Sequence, residues 1–396
     1  MFAVRLLSHA PEPDFRWPPD LRKLLHSKFS QAAALRQSIG LPSAETTAYR
    51  LVHSEGDRLS GLVVDIFGDL LVVQSSASWV EVHREVIEAT LGDLYPEKTI
   101  VWQQSATRLR QDGWNDEDAE ASADDATDDD TVPSDAEDEP SLGAEDELSP
   151  SAGNMWVQAT GLETQVKELG LAYVIDAMGG QKTGFYCDQR DNRQMIRSLS
   201  PGREVLDLYS FSGGFGLNAA FAGAKHVTSV DSSIPALQQY LANAQANGFD
   251  AQLFLTSPST ADLSAPAGPF MALYKTDVVK FLRAAIDAGR TYDVVVCDPP
   301  KLCPQVAQLS RATRKYHQIN TNAMRVVKPG GLLLSCTCSA AVASGEDTFL
   351  DILRNAASTA GRRITVLSVS AAAMDHPVYS EYPEGRYLRA VLMTVV

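Results

Sequence analysis

The sequence predicts an α/β protein built on a doubly wound parallel sheet of about seven strands, preceded by a small α+β unit. Three observations carry this reading. From about residue 180 onward, apolar runs of strand length alternate with helical stretches, the pattern of a parallel sheet with crossover helices. Within that region, Val205-Leu206-Asp207-Leu208 reads as a buried strand, Tyr209-Ser210-Phe211-Ser212-Gly213-Gly214-Phe215-Gly216 as a glycine turn opening a helix, and Val227-Thr228-Ser229-Val230-Asp231 as a second strand ending in an acid. Before it, the order strand, strand, helix, strand describes a separate, smaller sheet.

Taken in order, residues 20–39 carry Leu21, Leu24, Leu25, Phe29, Ala32, Ala33 and Leu35 near helical spacing. A strand begins at Tyr49-Arg50-Leu51-Val52, and residues 61–67 and 70–74 form a hairpin joined at Gly68-Asp69. A helix over 79–94 and a strand over 99–103 follow. Residues 171–175 can supply one further strand to the same sheet. The small α+β domain (strand-strand-helix-strand-strand) is therefore expected over 41–110 plus 154–178, after a helical linker at 16–40, with the larger domain over 179–396. Its strands are expected at 204–208, 227–230, 251–255, 294–297, 331–336, 364–369 and 387–395, the last two as an antiparallel hairpin at the sheet edge. Residues 256–269 read as a loop insertion before Asp277.

Composition limits the function. The chain has 396 residues, enough for two or three domains, and 44% hydrophobic residues, ordinary for a globular protein. No apolar run approaches the roughly 20 residues of a membrane helix, and Glu12, Asp14 and Asp20 argue against an organellar presequence. The cytoplasm is the expected compartment, with an organelle the alternative. Five cysteines make no disulfide framework and show no zinc-ligand spacing, so a reducing compartment and no metal are expected. The net charge is -16, but Asp112 to Glu147 holds 17 acids and no Lys or Arg, so the remainder is near neutral at +1. Residues 111–153 cannot bury enough apolar surface to offset chain entropy and read as a disordered acidic insertion. Nucleic-acid binding is thus not excluded, and Lys182, Arg190, Arg193, Arg197 and Arg203 are the candidates for a basic face.

The glycine turn does not fit G-x-G-x-x-G, which weakens a dinucleotide and an NAD(P)-linked oxidoreductase. A strand acid, a small-residue turn in which Gly213, Gly214 and Gly216 let the backbone approach a ligand, and an acid ending the next strand suit S-adenosylmethionine better. Asp298-Pro299-Pro300-Lys301 follows the apolar strand Val294-Val295-Val296-Cys297, at the strand end that faces the ligand crevice of a parallel sheet. The paired prolines fix the backbone there and remove amide donors. Thr337-Cys338-Ser339 ends a later strand. Carbon 5 of a pyrimidine is a poor nucleophile until a thiolate adds to carbon 6, so an enzyme methylating that carbon needs a cysteine at the crevice. Cys338 has that position; Cys336 lies two residues deeper and reads as core.

These motifs, with Gly184-Phe185-Tyr186-Cys187-Asp188-Gln189-Arg190-Asp191-Asn192-Arg193 before them and Asp375-His376-Pro377 and Tyr382-Pro383-Glu384-Gly385 after them, occur in one order. Together they resemble the S-adenosylmethionine-dependent 23S rRNA (cytosine-carbon-5) methyltransferases with an N-terminal PUA domain. Glu55-Gly56-Asp57-Arg58-Leu59-Ser60-Gly61-Leu62-Val63-Val64-Asp65 resembles their small central domain. The resemblance implies a class I (Rossmann-like) methyltransferase domain, rRNA or an assembling large ribosomal subunit as partner, and 5-methylcytosine as product. A homodimer is compatible with it. It implies that Tyr209, Ser210, Phe211, Ser212 and Gly213 wrap the methionine moiety of the cofactor. Asp231, with Ser232 beside it, takes the ribose, and Asp277 with Val278 takes the adenine. Gln189 and Arg190 lie near the cofactor, Asp298 and Pro299 face the methyl group and target base, and Cys338 is the nucleophile. Cys303 is the exposed candidate for a second, helper cysteine, with Asp298 or a water as the alternative base. His376 is expected in a loop over the crevice and His317 on a helix surface or interface.

Two departures from the family stand out. Residues 1–15 look like the last PUA strand alone, and the acidic insertion is an addition. Two other readings stay open at this point. Guanine N-methylation by the same fold needs no thiol, and a non-catalytic RNA-binding or ribosome-assembly factor needs no intact Asp298 and Cys338.

Overall fold

The computed structural model describes residues 20–114, 163–177, 184–259, 263, 270–303, 306–343, 345 and 347–396. Residues 1–15, Lys182 and the acidic insertion beyond residue 114 lie outside them. A four-stranded sheet runs in the order β1 (Ala48–His53), β2 (Leu62–Phe67), β3 (Leu70–Ser75), β4 (Thr99–Gln104). The first two pairings are antiparallel and β3–β4 is parallel. The helix Leu21–Ser38 packs on it through Leu25, Phe29 and Ala32. The expected helix over 79–94 is two, Ser78–Val82 and Arg84–Leu94, because His83 at φ -110° and ψ 21° leaves the helical region between them.

The fifth strand of this sheet, expected at 171–175, is not there. Instead β6 (Leu171–Asp176) pairs antiparallel with β5 (Glu163–Glu168) as a separate hairpin. The hairpin sits between the two larger sheets. Its Lys167 carbonyl accepts from the Thr47 amide, and its Ala172 and Val174 amides donate to Asn247 and Asn243.

The second sheet has eight strands rather than about seven. They are β7 (Glu204–Leu208), β8 (His226–Asp231), β9 (Ala251–Phe254), β10 (Met271–Lys275), β11 (Tyr292–Cys297), β12 (Val327–Thr337), β13 (Ile364–Ser370) and β14 (Arg389–Val395), in the spatial order β13-β14-β12-β11-β7-β8-β10-β9. The added strand is β10, which pairs in parallel with β8 and displaces β9 to the edge. The last two strands do pair antiparallel, but β14 is not at the edge: it inserts between β12 and β13, antiparallel to both. All other pairings are parallel.

Near-continuous apolar runs suit strands buried on both faces. Val205, Val227, Val294 and Val296 enter one core layer, while Leu206, Leu208, Val295, Cys297 and Leu333 enter the layer on the opposite face.

Buried arginines and Asp375 tie the small unit to the larger one through hydrogen bonds, among ion pairs made within each. Arg190 Nη2 lies 2.8 Å from Asp375 Oδ2 and also donates to the Ala48 carbonyl. Arg193 grips both oxygens of Glu168 at 2.6 Å. Arg36 pairs with Asp57 and reaches the Asp375 carbonyl, and Arg50 pairs with Asp65. Such pairs contribute little beyond an apolar equivalent, but breaking one strands a buried charge.

Candidate active site

Register sets the site. Leu208, Val230 and Cys297 are aligned across β7, β8 and β11, so Tyr209, Asp231 and Asp298 follow in one row at the carboxyl ends of the strands. Cys297 is aligned with Ser335 on β12, which puts Cys338 beyond the level of Asp298 on the adjacent strand. Ligands of open parallel sheets bind at that edge.

The turn after β7 is shaped by left-handed residues: Tyr209 at φ 60°, Phe211 at 47° and Gly213 at 93°. The expectation that its glycines leave room for a ligand needs correction. A Cβ on Gly213 or Gly216 would run into the Tyr240 side chain, and one on Gly214 would press on Arg193. The space is filled by the protein, and its effect is to hold the turn rigid. Asp207 is buried below it. One of its oxygens accepts from the Gly216 amide at 2.9 Å and the other has no partner among the described residues. Burial, with Asp298 and Asp231 adding to it, pushes its carboxyl up to about 8.

Asp231 accepts from the Phe211 amide at 2.9 Å and from the Ser233 amide at 2.8 Å, one bond per oxygen, so each oxygen keeps an acceptor site. Ser232 beside it is exposed. The Thr276 amide donates to the Asp231 carbonyl. This brings Asp277, the exposed N-cap of the helix Val278–Asp287, next to the Asp231 strand end, with Val278 buried behind it. Ser210 and Ser212 are nearly buried, and the Ser210 hydroxyl has no partner among the described residues. A half-buried acid with spare acceptors, an orphaned hydroxyl and a neighbouring apolar wall fit a nucleoside bearing a polar amino-acid tail.

Asp298 receives a hydrogen bond from Gln189 Nε2 at 3.0 Å, and Pro299 after it is buried. Cys338 is the one cysteine of five that is not buried. Burial pushes the Cys297 and Cys336 thiols well up, which keeps them protonated. The turn carrying Cys338 is fixed on both sides. Thr337 Oγ1 donates to the Tyr316 hydroxyl at 2.9 Å, and Ser339 Oγ lies 3.0 Å from the same hydroxyl and accepts from the Cys303 amide.

Several expected placements change. Cys303 is not exposed: it is 2% accessible, folded under the Cys338 turn by that amide bond. Arg190 does not turn its charge toward the strand ends; its guanidinium is committed to Asp375, Ala48 and Glu168. His376 is buried, with Nδ1 2.9 Å from Asp375 Oδ1 and its ring edge-on to His53. His317 keeps its expected place, on a helix at an interface, bridging to a second helix through Thr359. The expected basic face also turns inward: Arg193 is buried, and Arg197 and Arg203 are half-buried, bonded to Leu169 and Asn218 and to Leu199 respectively.

Sequence reasoning missed Tyr186. Its phenol is pushed up by burial and by the facing carboxylates and thiol of Asp188, Cys338, Asp298 and Asp231, and its ring meets Phe211 edge-on at 5.2 Å. One residue therefore lies within electrostatic reach of Asp231, Asp298 and Cys338 together. The signal was an aromatic inside an already conspicuous motif.

The doubly wound sheet with an antiparallel β14 insert, an acid ending β8 and a rigid turn after β7 define an S-adenosylmethionine-dependent methyltransferase. A family model for S-adenosylmethionine-dependent methyltransferases matches residues 135–364. The ribosomal RNA large subunit methyltransferase I of Aeromonas salmonicida is 32% identical over 373 residues, 94% of this chain and 79% of that protein. The protein of the same name from Vibrio cholerae is 33% identical over 382 residues, 96% of this chain and 83% of that one. The chain belongs to this S-adenosylmethionine-dependent family, on the ribosomal RNA large subunit methyltransferase I branch. The fold agrees: a solved S-adenosylmethionine-dependent methyltransferase from Streptococcus mutans aligns with a TM-score of 0.69 at 20% identity, over 94% of this chain and 81% of that one. Another solved methyltransferase, complexed with S-adenosylhomocysteine, aligns with a TM-score of 0.70 at 20% identity and the same coverage.

Proposed function

We propose that this enzyme methylates carbon 5 of a cytosine in large-subunit ribosomal RNA, with Cys338 as nucleophile. The carrying observation is that Cys338 alone of five cysteines is accessible, and it sits at a strand end beside the strand that presents Asp298. The relatives' names supply the RNA class. The cofactor supplies an electrophilic methyl group. Asp231 would hold its ribose, Asp277 and Val278 its adenine, and Ser210 with the turn its amino-acid end.

The chain's own part follows from the chemistry of the ring. The Cys338 thiolate adds to carbon 6, and the displaced electron pair makes carbon 5 nucleophilic. Carbon 5 then takes the methyl group while still holding its proton. Removal of that proton restores the double bond and expels the thiolate. Asp298, oriented by Gln189, is the carboxylate this arrangement offers for the proton. Tyr316, by holding Thr337 and Ser339, keeps Cys338 from turning into the core.

RNA carrying 5-fluorocytosine tests the proposal, because fluorine cannot leave as a proton and traps the adduct. Wild type gives a denaturant-resistant protein–RNA complex, and Cys338→Ser gives none. A Cys338→Ala variant retaining nearly full transfer would overturn the assignment and favour guanine N-methylation. Bisulfite mapping of rRNA with and without the protein locates the base.

A further inference from the structure

The helix Leu309–Arg325 carries Arg311, Arg314, Lys315 and Arg325 and no acid, in a chain of net charge -16. Arg311, Arg314, Lys315 and Gln318 follow i, i+3, i+4, i+7 spacing, so they share one stripe, and all four are exposed. None of the three cations makes a hydrogen bond or ion pair among the described residues. Other cations of this protein are committed to acids: Arg36, Arg50, Arg190 and Arg193 to buried ones, and Lys328 to Glu204 and Asp293.

Topology places this stripe at the active site. The helix descends from the carboxyl end of β11 to the start of β12, so its first two turns lie at the edge where Asp298 and Cys338 emerge. Its buried side provides Tyr316, which holds Thr337 and Ser339 on either side of Cys338. Exposed Lys301, three residues after Asp298, extends the positive charge to the rim. The outer face of the helix that sets the nucleophile is therefore a row of unpaired cations.

We infer that Arg311, Arg314 and Lys315 form the surface that grips the RNA phosphates flanking the target nucleotide. This rests on the rRNA reading above and gives that substrate a docking face at the site itself. Phosphate contacts fix register without reading sequence, so this face sets affinity and approach rather than the choice of base. Coupling through Tyr316 keeps the gripped backbone and the Cys338 turn in one rigid piece.

The test measures binding and transfer separately, using a 23S rRNA transcript. Filter binding with S-adenosylhomocysteine present gives Kd against salt for wild type and for Arg311→Gln/Arg314→Gln/Lys315→Gln. Each lost phosphate contact lowers the salt slope by about 0.7–0.9, so the triple variant loses roughly 2–3 in slope, and its Kd rises roughly tenfold or more at physiological salt. KM for RNA rises in parallel, while kcat at saturating RNA holds. Each single variant loses about one third of the slope change, and Arg354→Gln, a paired cation on the neighbouring helix, changes neither quantity. Unchanged Kd and slope in the triple variant would overturn the proposal. Loss of binding to assembled subunits with unaltered RNA binding would also overturn it, by assigning the face to a protein partner. A wild type that bound RNA through this face but transferred no methyl group would sink the proposed function and leave the surface standing.

Discussion

Gln189 donates to Asp298 Oδ2 at 3.0 Å while its own Oε1 accepts from Asn192 at 2.6 Å. Asn192 in turn accepts from Ser370 on the edge strand β13 at 2.6 Å. The orientation of the acid that follows β11 is thus relayed from a segment 178 residues beyond Asn192. Replacing Gln189 by Leu removes a hydrogen bond to a charged group, about 1.5–3 kcal/mol. The expected result is a roughly 10- to 100-fold fall in kcat/KM, with a smaller change in S-adenosylhomocysteine affinity by calorimetry. Equal losses in both would mean that Gln189 serves the cofactor rather than Asp298.

Gly216→Ala sets a methyl group against the Tyr240 hydroxyl. Tyr240 is fully buried and hydrogen-bonded to Ser229 at 3.0 Å, so it cannot swing away freely. Overpacking of this kind costs about 1–3 kcal/mol. Urea denaturation reads the loss, and adding Tyr240→Phe recovers part of it. An additive double variant would mean that the strain lies elsewhere.

Glu168→Gln leaves the buried Arg193 without its paired charge, since two of its guanidinium bonds, each 2.6 Å, end on that carboxylate and the third goes to the Tyr186 carbonyl. A broken buried pair costs about 3–5 kcal/mol. The hairpin β5–β6 should open with it, which hydrogen exchange at the Val174 and Ala172 amides would report. Unchanged exchange there would place the coupling in the apolar contacts instead.

Asp207 gives a pH dependence with a defined sign. Its folded carboxyl sits at about 8 against an ordinary value of 3.8, so the native state binds the extra proton between those values. Stability contributed by this group is complete at low pH and is lost as pH rises through about 8. Urea midpoints should fall from about pH 5 to about pH 8.5, and Asp207→Asn should flatten that fall without losing the acceptor for the Gly216 amide. A variant with the same slope as wild type would assign the dependence to another group.

The central strands were legible because burial on both faces demands unbroken apolar runs, and the chemistry follows them directly in sequence. Two strands were not. In β5, Glu-Thr-Gln-Val-Lys-Glu, the second residue facing inward is Glu168, buried against Arg193, so the alternation is carried by a charge rather than a hydrophobe. In β10 the apolar run is only four residues long, closed by Lys275, and follows a proline-rich stretch, which made it look like the end of a loop. The fates of Arg190 and Cys303 depend on partners far along the chain, Asp375 and Ser339, which no local pattern announces. The same holds for the basic face. Cations adjacent in sequence at 190–203 turn inward to scattered acids and carbonyls, while helical spacing lines up those at 311–315 outward.

Arg36 and Asp375 meet at 2.8 Å although 339 residues separate them. A ribosome adding about 5–20 residues per second needs roughly 15–70 s to make the second after the first. For about that interval Arg36 and the Arg50 amide lack Asp375, and Arg190, 185 residues before it, waits roughly 9–37 s. The small sheet can form early, but its seam with the larger one closes only when the late segment arrives. Birth of this enzyme is therefore a waiting problem, and a chaperone that shields the open seam during synthesis would raise the yield of active protein more than one supplied afterwards.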